Sequence, residues 1–282
     1  MDNNNFKNNL NKSLQKYLDI IINHSEYKNS KIDDNINYEL EFIYSNPSQN
    51  IELEIFKKII AFLKADSTSD STIKVDEKKE LNISTYHNYK NLSDIRVIID
   101  DDNIQNFCKD EFTYLQDTSN KIYQEKKNIT PQSKKITLNN FKLNLKLEKN
   151  LNKEDINVLN FNKYYEIEKT KTYRFKNRIS FEYEFFKIDM TYVNHTENYN
   201  LKTNKNYNVN YEFELEIRTK KLLNEIYNPD TQKYNYLDTA YTTLINNLCS
   251  KLTIINNLIS NNLYELNDKT KKIIRQNFKN LS

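Results

Sequence analysis

The sequence predicts an α+β protein built on a largely antiparallel sheet, and three observations predict it. Several short segments between residues 36 and 218 alternate apolar and polar side chains, the period-two signature of strands. Toward both ends the spacing switches to the three-to-four-residue repeat of amphipathic helices. No internal repeat and no break in composition marks a second domain, so residues 1–282 read as one unit.

Residues 9–24 form the first predicted helix, with Leu10, Leu14, Leu18, Ile21 and Ile22 on one stripe. A strand follows at 36–45, then a helix at 51–64 that buries Ile55, Phe56, Ile59, Ile60 and Leu63. The Ser-, Thr-, Asp- and Lys-rich stretch 65–80 reads as an exposed loop. Strands are expected at 94–99, 141–148, 172–182, 185–193 and 209–218. Beyond 220 the chain is helical again, most clearly at 236–264. The stripe Leu244, Leu248, Leu252, Ile255 and Leu258 suits packing on the sheet or against a partner.

Composition excludes several functions. With 21 Tyr and 14 Phe the chain has ample apolar area for a core. It has no Gly, so a P-loop, a dinucleotide-binding loop and a glycine-rich kinase loop are ruled out, as is a nucleotidyltransferase motif ending in Asp-Gly. Any phosphate chemistry must rest on side chains, and left-handed turn positions must fall to Asn and Asp. Net charge is +3, too near balance for a coat that binds nucleic acid indiscriminately. Cys108, Cys249, His24, His87 and His195 make neither a zinc site nor a disulfide framework, which fits a reducing compartment. No apolar run approaches the roughly 20 residues of a membrane span and no signal peptide is evident. A soluble intracellular protein with no membrane partner is expected, cytoplasmic, or nuclear if it is a cellular enzyme.

Sorting each strand into its two faces exposes a pattern. Tyr38, Leu40 and Phe42 oppose Glu39 and Glu41. Tyr211, Phe213, Leu215 and Ile217 oppose Glu212, Glu214 and Glu216. Tyr173, Phe175, Ile179 and Phe181 oppose Arg174, Lys176, Arg178 and Ser180, and Phe186, Ile188 and Met190 oppose Lys187, Asp189 and Thr191. Phe141, Leu143, Leu145 and Leu147 face away from Lys142, Asn144, Lys146 and Glu148, while Ile95 and Val97 oppose Asp94 and Arg96. A wet sheet face ordinarily mixes its charges; here acids gather on two strands and bases on a third. Glutamates at i and i+2 repel one another, and a row of three is tolerable where it faces cations. Glu52 and Glu54 also stand at i and i+2, but they open a helix, where those positions lie about 200° apart and the helix dipole accounts for them.

These segments, in this order, resemble the metal-dependent mRNA 5′-triphosphatases of fungi, protozoa and large DNA viruses, within the triphosphate tunnel metalloenzymes. The resemblance lies in Tyr38-Glu39-Leu40-Glu41-Phe42, Arg174-Phe175-Lys176-Asn177-Arg178-Ile179-Ser180, Ile188-Asp189-Met190-Thr191 and Glu212-Phe213-Glu214-Leu215-Glu216, and spans roughly residues 36–218. It implies a closed antiparallel β-tunnel of about eight strands with a charged interior and helices packed outside: a single tunnel domain over 1–282, with its core at about 36–218, the helix 9–24 before it and the helical segment 220–282 after it. It further implies that Glu39, Glu41 and Glu216 bind Mg²⁺ or Mn²⁺ and that Arg96, Lys176 and Arg178 grip the γ-phosphate. Asp189 and Glu214 would hold or orient the attacking water, Glu212 would support the floor, and Arg174 would be a phosphate contact or sit just behind one. A further lysine is expected from a strand between Arg96 and Arg174; Lys142 is entered for it, with Lys146 on the same face. Glu166 and Glu168 share the parity of these residues and are candidate lining groups. Ile43 stands where the bacterial and plant-type branch has Lys, which favours the RNA-directed branch. The expected activity is hydrolysis of the γ-phosphate of 5′-triphosphate RNA in mRNA capping. The alternatives are a tripolyphosphatase or nucleoside triphosphatase of the same superfamily and a non-catalytic RNA-binding β-protein. An RNA guanylyltransferase and a second copy of the chain are the candidate protein partners, although no guanylyltransferase-docking motif is evident.

Overall fold

A computed structural model of the chain describes residues 3–27, 34–46, 50–85, 94–109, 121–130, 136–152, 171–197 and 208–278. Helix α1 (Asn3–Ile22) precedes β1 (Ile36–Tyr44) and α2 (Leu53–Ser69). Strands β2 (Lys74–Thr85) and β3 (Asp94–Asp100), helix α3 (Asp101–Lys109), and strands β4 (Ile122–Asn128), β5 (Ile136–Leu138) and β6 (Phe141–Asn150) follow. Next come β7 (Lys171–Glu182), β8 (Phe186–Glu197), β9 (Asn208–Ile217) and α4 (Thr219–Ile226). A small hairpin of β10 (Tyr227–Asn228) and β11 (Lys233–Tyr234) leads to α5 (Thr239–Ile259), a 3₁₀ turn and α6 (Asp268–Phe278).

The large sheet runs β1-β9-β8-β7-β2-β3-β4-β6, and β6 pairs back onto β1, so eight antiparallel strands close into a barrel with β5 appended to β6. Closure leaves no free edge around these eight strands where they pair. The apolar face of each strand points outward. Leu40, Phe42, Leu143, Leu145, Ile188, Met190, Phe213 and Leu215 are almost fully buried beneath α1, α2, α4 and α5. The stripe Leu244, Leu248, Leu252, Ile255 and Leu258 belongs to this core, so on α5 it packs rather than waits for a partner. On the other flank α3 seals a smaller cluster of Leu81, Ile83, Val97, Ile99, Phe107 and Tyr123.

The chain turns without glycine as its composition requires: Asn139, at the β5–β6 turn, and Asn261 take left-handed backbone, joined by Gln232.

Two features differ from the sequence reading. Stretch 65–80 is not a loop: α2 continues to Ser69 and β2 begins at Lys74. The α2 hydroxyls explain the first part, because Ser67 and Thr68 donate to the Lys64 carbonyl and Ser69 to that of Asp66, satisfying the last turn from within. β2 looked polar because residues 74–79 pair only with β7 and stay exposed on both faces. Strands β4 and β5 and helix α3 also went unpredicted, whereas α6 lies within the helical segment expected beyond 220; β4, Ile-Tyr-Gln-Glu-Lys-Lys-Asn, carries too few apolar residues to show a stripe. Glu166 and Glu168 lie outside the described residues.

Candidate active site

Register brings the charges together. β1 lies between β6 and β9, so Glu41 has Asn144 on one side and Glu216 on the other, and Glu216 is followed by Lys187 on β8. Glu39 faces Lys146 across β1–β6. Along β8–β9, Glu214 meets Asp189 and Glu212 meets Thr191; across β7–β8, Thr191 meets Arg178. The inward side chains enclose a cavity of about 500 Å³. Seven Lys or Arg and six Asp or Glu line it, a near balance that suits a multivalent cation and a multivalent anion bound together.

The acidic wall is β1 with β9. Glu41 is 1% exposed; Lys146 pairs with it and lies 3.8 Å from Glu39 Oε2. Asn144 Nδ2 donates to Glu41 Oε1 at 3.3 Å. Burial, then the Glu39 and Glu214 carboxylates, push Glu41 up to about 7 against the pull of Lys146 and Lys126. Burial also raises Glu216, with Glu39 and Asp189 adding to it, although Lys187 Nζ sits 2.9 Å from its Oε2. Burial works against the Glu214 carboxylate too, but Lys176, Lys146 and Arg178 together hold it well below the usual carboxylate range. Protons are thus divided unevenly within one acidic cluster, whose members keep apart in charge because they are close in space.

The opposing wall is cationic. Arg174 Nη2 donates to both oxygens of Glu212 at 2.7 and 2.8 Å. Arg178 reaches Glu80 Oε1 at 3.2 Å and Asp189 Oδ2 at 3.6 Å, and Ser180 Oγ donates to Asp189 Oδ1 at 2.6 Å. Lys176, 7% exposed and 3.6 Å from Glu80, is pulled down from 10.5 to about 8 by burial and then by Arg174 and Arg178. On the third side Arg96 donates to Gln124 and Glu148, and Lys126 bridges Glu39 at 2.5 Å and Glu148 at 2.7 Å.

Of the residues proposed from sequence, Glu39, Arg96, Arg174, Lys176, Arg178, Asp189, Glu212, Glu214 and Glu216 all line the cavity; Glu41 does not, but it pairs with Lys146, which does. Lys142 shares the inward face of β6, but its neighbours are Ile43 and Thr137 and it does not line the cavity; Lys146 does. Sequence reasoning missed Lys126, Glu80 and, as site residues, Glu148 and Lys187. Glu148 and Lys187 shared the inward parity and were recoverable from it; Lys126 and Glu80 sit on strands that were not recognised. Glu54 behaves as its helical position demands, exposed and paired to Lys58 at 2.6 Å outside the barrel.

Among the described residues, no three His, Cys, Asp or Glu side chains gather closely enough to hold an ion. The carboxylates are instead engaged by Lys126, Lys146 and Lys187. The donor set nonetheless fits a hard divalent cation: Glu39, Glu41 and Glu216 offer only oxygens from adjacent strands, and Glu41 is raised first by burial and then by the neighbouring Glu39 and Glu214 carboxylates, a crowding that an ion would relieve.

Among solved structures the chain is similar to the RNA triphosphatase domain of a trifunctional mimivirus mRNA capping enzyme, with a TM-score of 0.52 and 18% identity over 87% of this chain and 96% of that one. A monoclinic structure of the mimivirus capping enzyme triphosphatase gives 0.49 and 18%, covering 81% and 93%. The S. pombe Pct1 RNA triphosphatase gives 0.44 and 12%, covering 79% and 84%. At 18% identity the first of these likenesses speaks for the fold alone, the closed antiparallel barrel that the strand pairing shows. No protein-family model and no curated protein matches the chain.

Proposed function

We propose that this protein hydrolyses the γ-phosphate of 5′-triphosphate RNA, leaving a 5′-diphosphate end for a capping guanylyltransferase. One observation carries the proposal: a cavity sets a wall of crowded glutamates against a wall of arginine and lysine, and its lining among the described residues is polar or charged throughout. Phosphoryl transfer needs positioning and charge stabilisation above all, and this cavity offers both.

Glu39, Glu41 and Glu216 would hold Mg²⁺ or Mn²⁺. When bound, the ion supplies Lewis-acid polarisation of the terminal phosphate. The chain supplies the remainder. Arg178 and Arg96 offer guanidinium forks to phosphate oxygens, and Lys176 adds a point charge between Arg174 and Arg178. Asp189, fixed by the Ser180 hydroxyl, and Glu214, kept ionised by the surrounding lysines, orient the attacking water. Glu212 aims Arg174 through its two short contacts. A non-catalytic stacking surface for bases is disfavoured, because Tyr38, Phe42, Phe186 and Phe213 are spent in the outer core.

The test is phosphate release from triphosphate-ended RNA, ATP and tripolyphosphate with Mg²⁺ or Mn²⁺. Glu41→Ala and Arg178→Ala should each fold and lose at least about 10²-fold in rate. Near-normal turnover by Glu41→Ala overturns the active-site assignment, and a strong preference for tripolyphosphate over RNA overturns the substrate.

A further inference from the structure

We infer that Lys146 and Lys187 are displaceable counter-ions of the candidate metal centre, holding Glu41 and Glu216 in the ion-free protein and setting how tightly a divalent cation binds. The inference rests on the metal-centre reading above and adds to it the residues that tune it.

The acidic strands β1 and β9 are neighbours, and the strands outside them, β6 and β8, each place one lysine against a proposed ligand: Lys146 opposite Glu39, and Lys187 opposite Glu216. The side chains complete what the backbone sets up. Lys146 pairs with Glu41 and approaches Glu39 Oε2 at 3.8 Å. Lys187 Nζ lies 2.9 Å from Glu216 Oε2 and 3.3 Å from Asp189 Oδ2. Both lysines therefore occupy oxygens that an ion would need.

Lys126 differs in a way that sharpens the point. It also touches Glu39, but its second partner is Glu148, which lies outside the proposed ligand set and would keep it anchored once Glu39 turned to an ion. Both carboxylates paired to Lys146 are proposed ligands, so an ion would release it altogether; Lys187 would give up Glu216 and stay held by Asp189, 3.3 Å away, so its displacement is the partial one of the pair.

Lys146 and Lys187 can also move. Their side chains retain 21% and 27% exposure, and both border the cavity. A lysine head is a compact charge on a flexible stem, unlike the rigid fork of arginine. Displaced from a carboxylate, it swings into the space where a polyphosphate would lie. Cation and polyanion then favour each other's binding, since each removes the lysine's competing contact, and such coupling is reciprocal.

The experiment is a Mn²⁺ titration of the full chain without RNA, followed by calorimetry and by the electron paramagnetic resonance of free Mn²⁺. Lys146→Met and Lys187→Met should each bind Mn²⁺ about tenfold tighter than wild type, since each removes one competing charge at contact distance. Lys142→Met makes the same charge change on the same strand face outside the cavity and should stay within about twofold of wild type. Without ion, Lys146→Met should melt below wild type because it leaves a buried carboxylate unpaired, and Mn²⁺ should raise its melting temperature more than that of wild type. Unchanged or weaker affinity in both lysine variants, with binding still abolished by Glu41→Ala, overturns the counter-ion role and leaves the metal centre standing. Equal tightening by Lys142→Met overturns it too, as a general charge effect. Absence of Mn²⁺ binding in wild type and every variant overturns the metal centre and this inference together.

Discussion

Glu41, inside the barrel, and Asp66, outside it on α2, are both carboxylates tied to a lysine, and their surroundings differ. Asp66 Oδ2 accepts from the Tyr183 hydroxyl at 2.7 Å and from Lys251 Nζ at 2.6 Å, and Lys251 also lies over the rings of Phe62 and Tyr183. One acid there has two donors, and the group ties α2, the β7–β8 turn and α5 together. Inside, Glu39, Glu41, Glu214 and Glu216 crowd a handful of lysines, and Glu41 is driven up to about 7. A junction that serves only to hold elements together satisfies its acid from all sides. A cluster that leaves its acids competing for cations has capacity to bind something more.

That contrast can be broken at three strengths. The largest effect belongs to the outer core: Phe213→Ala empties a 1%-exposed site packed against Phe141 and should cost about 3–5 kcal/mol in denaturant unfolding, while phosphate release per folded molecule stays near wild type. A matching fall in specific activity would show that inner and outer faces are not separable. Next is the pH response of Lys176, whose charge is lost as pH rises through about 8. The KM for triphosphate-ended RNA should climb above that pH, by roughly tenfold per unit once the lysine is neutral, and Lys176→Arg should remove the inflection. Stability moves the other way. The folded-state value lies below the unfolded 10.5, so the cost of the buried charge is fully present below pH 8 and is relieved between about 8 and 10.5. A KM that is flat across this range would remove Lys176 from phosphate binding. The smallest effect is at the junction: Tyr183→Phe deletes one donor to Asp66 while Lys251 remains, and should lower stability by about 1 kcal/mol in thermal or chemical unfolding without altering metal dependence.

Much of the candidate site was legible because strand parity is local. Alternation alone separates Glu39 and Glu41 from Leu40 and Phe42, groups Glu212, Glu214 and Glu216, and aligns Arg174, Lys176 and Arg178, before any partner strand is known. What alternation misses is a strand with no apolar face to show. β4 brings Lys126 to the cavity and Gln124 against Arg96 from a segment with too few apolar residues to show a stripe, and β2 sets Glu80 against Arg178 from one mistaken for a loop.

By itself, then, the sequence determined which side chains could share a face, the absence of glycine-dependent phosphate loops, and the amphipathic helices needed to cover an outward apolar surface. Tertiary structure alone decided which faces meet. β1 finds its partners about a hundred residues away on β6 and farther still on β9, and those hydrogen-bond ladders put Lys146 rather than Lys142 beside Glu39 and Glu41, and Lys187 beside Glu216. Parity follows from the geometry of one strand, but register and barrel closure belong to the pairing of many, and no single segment carries them.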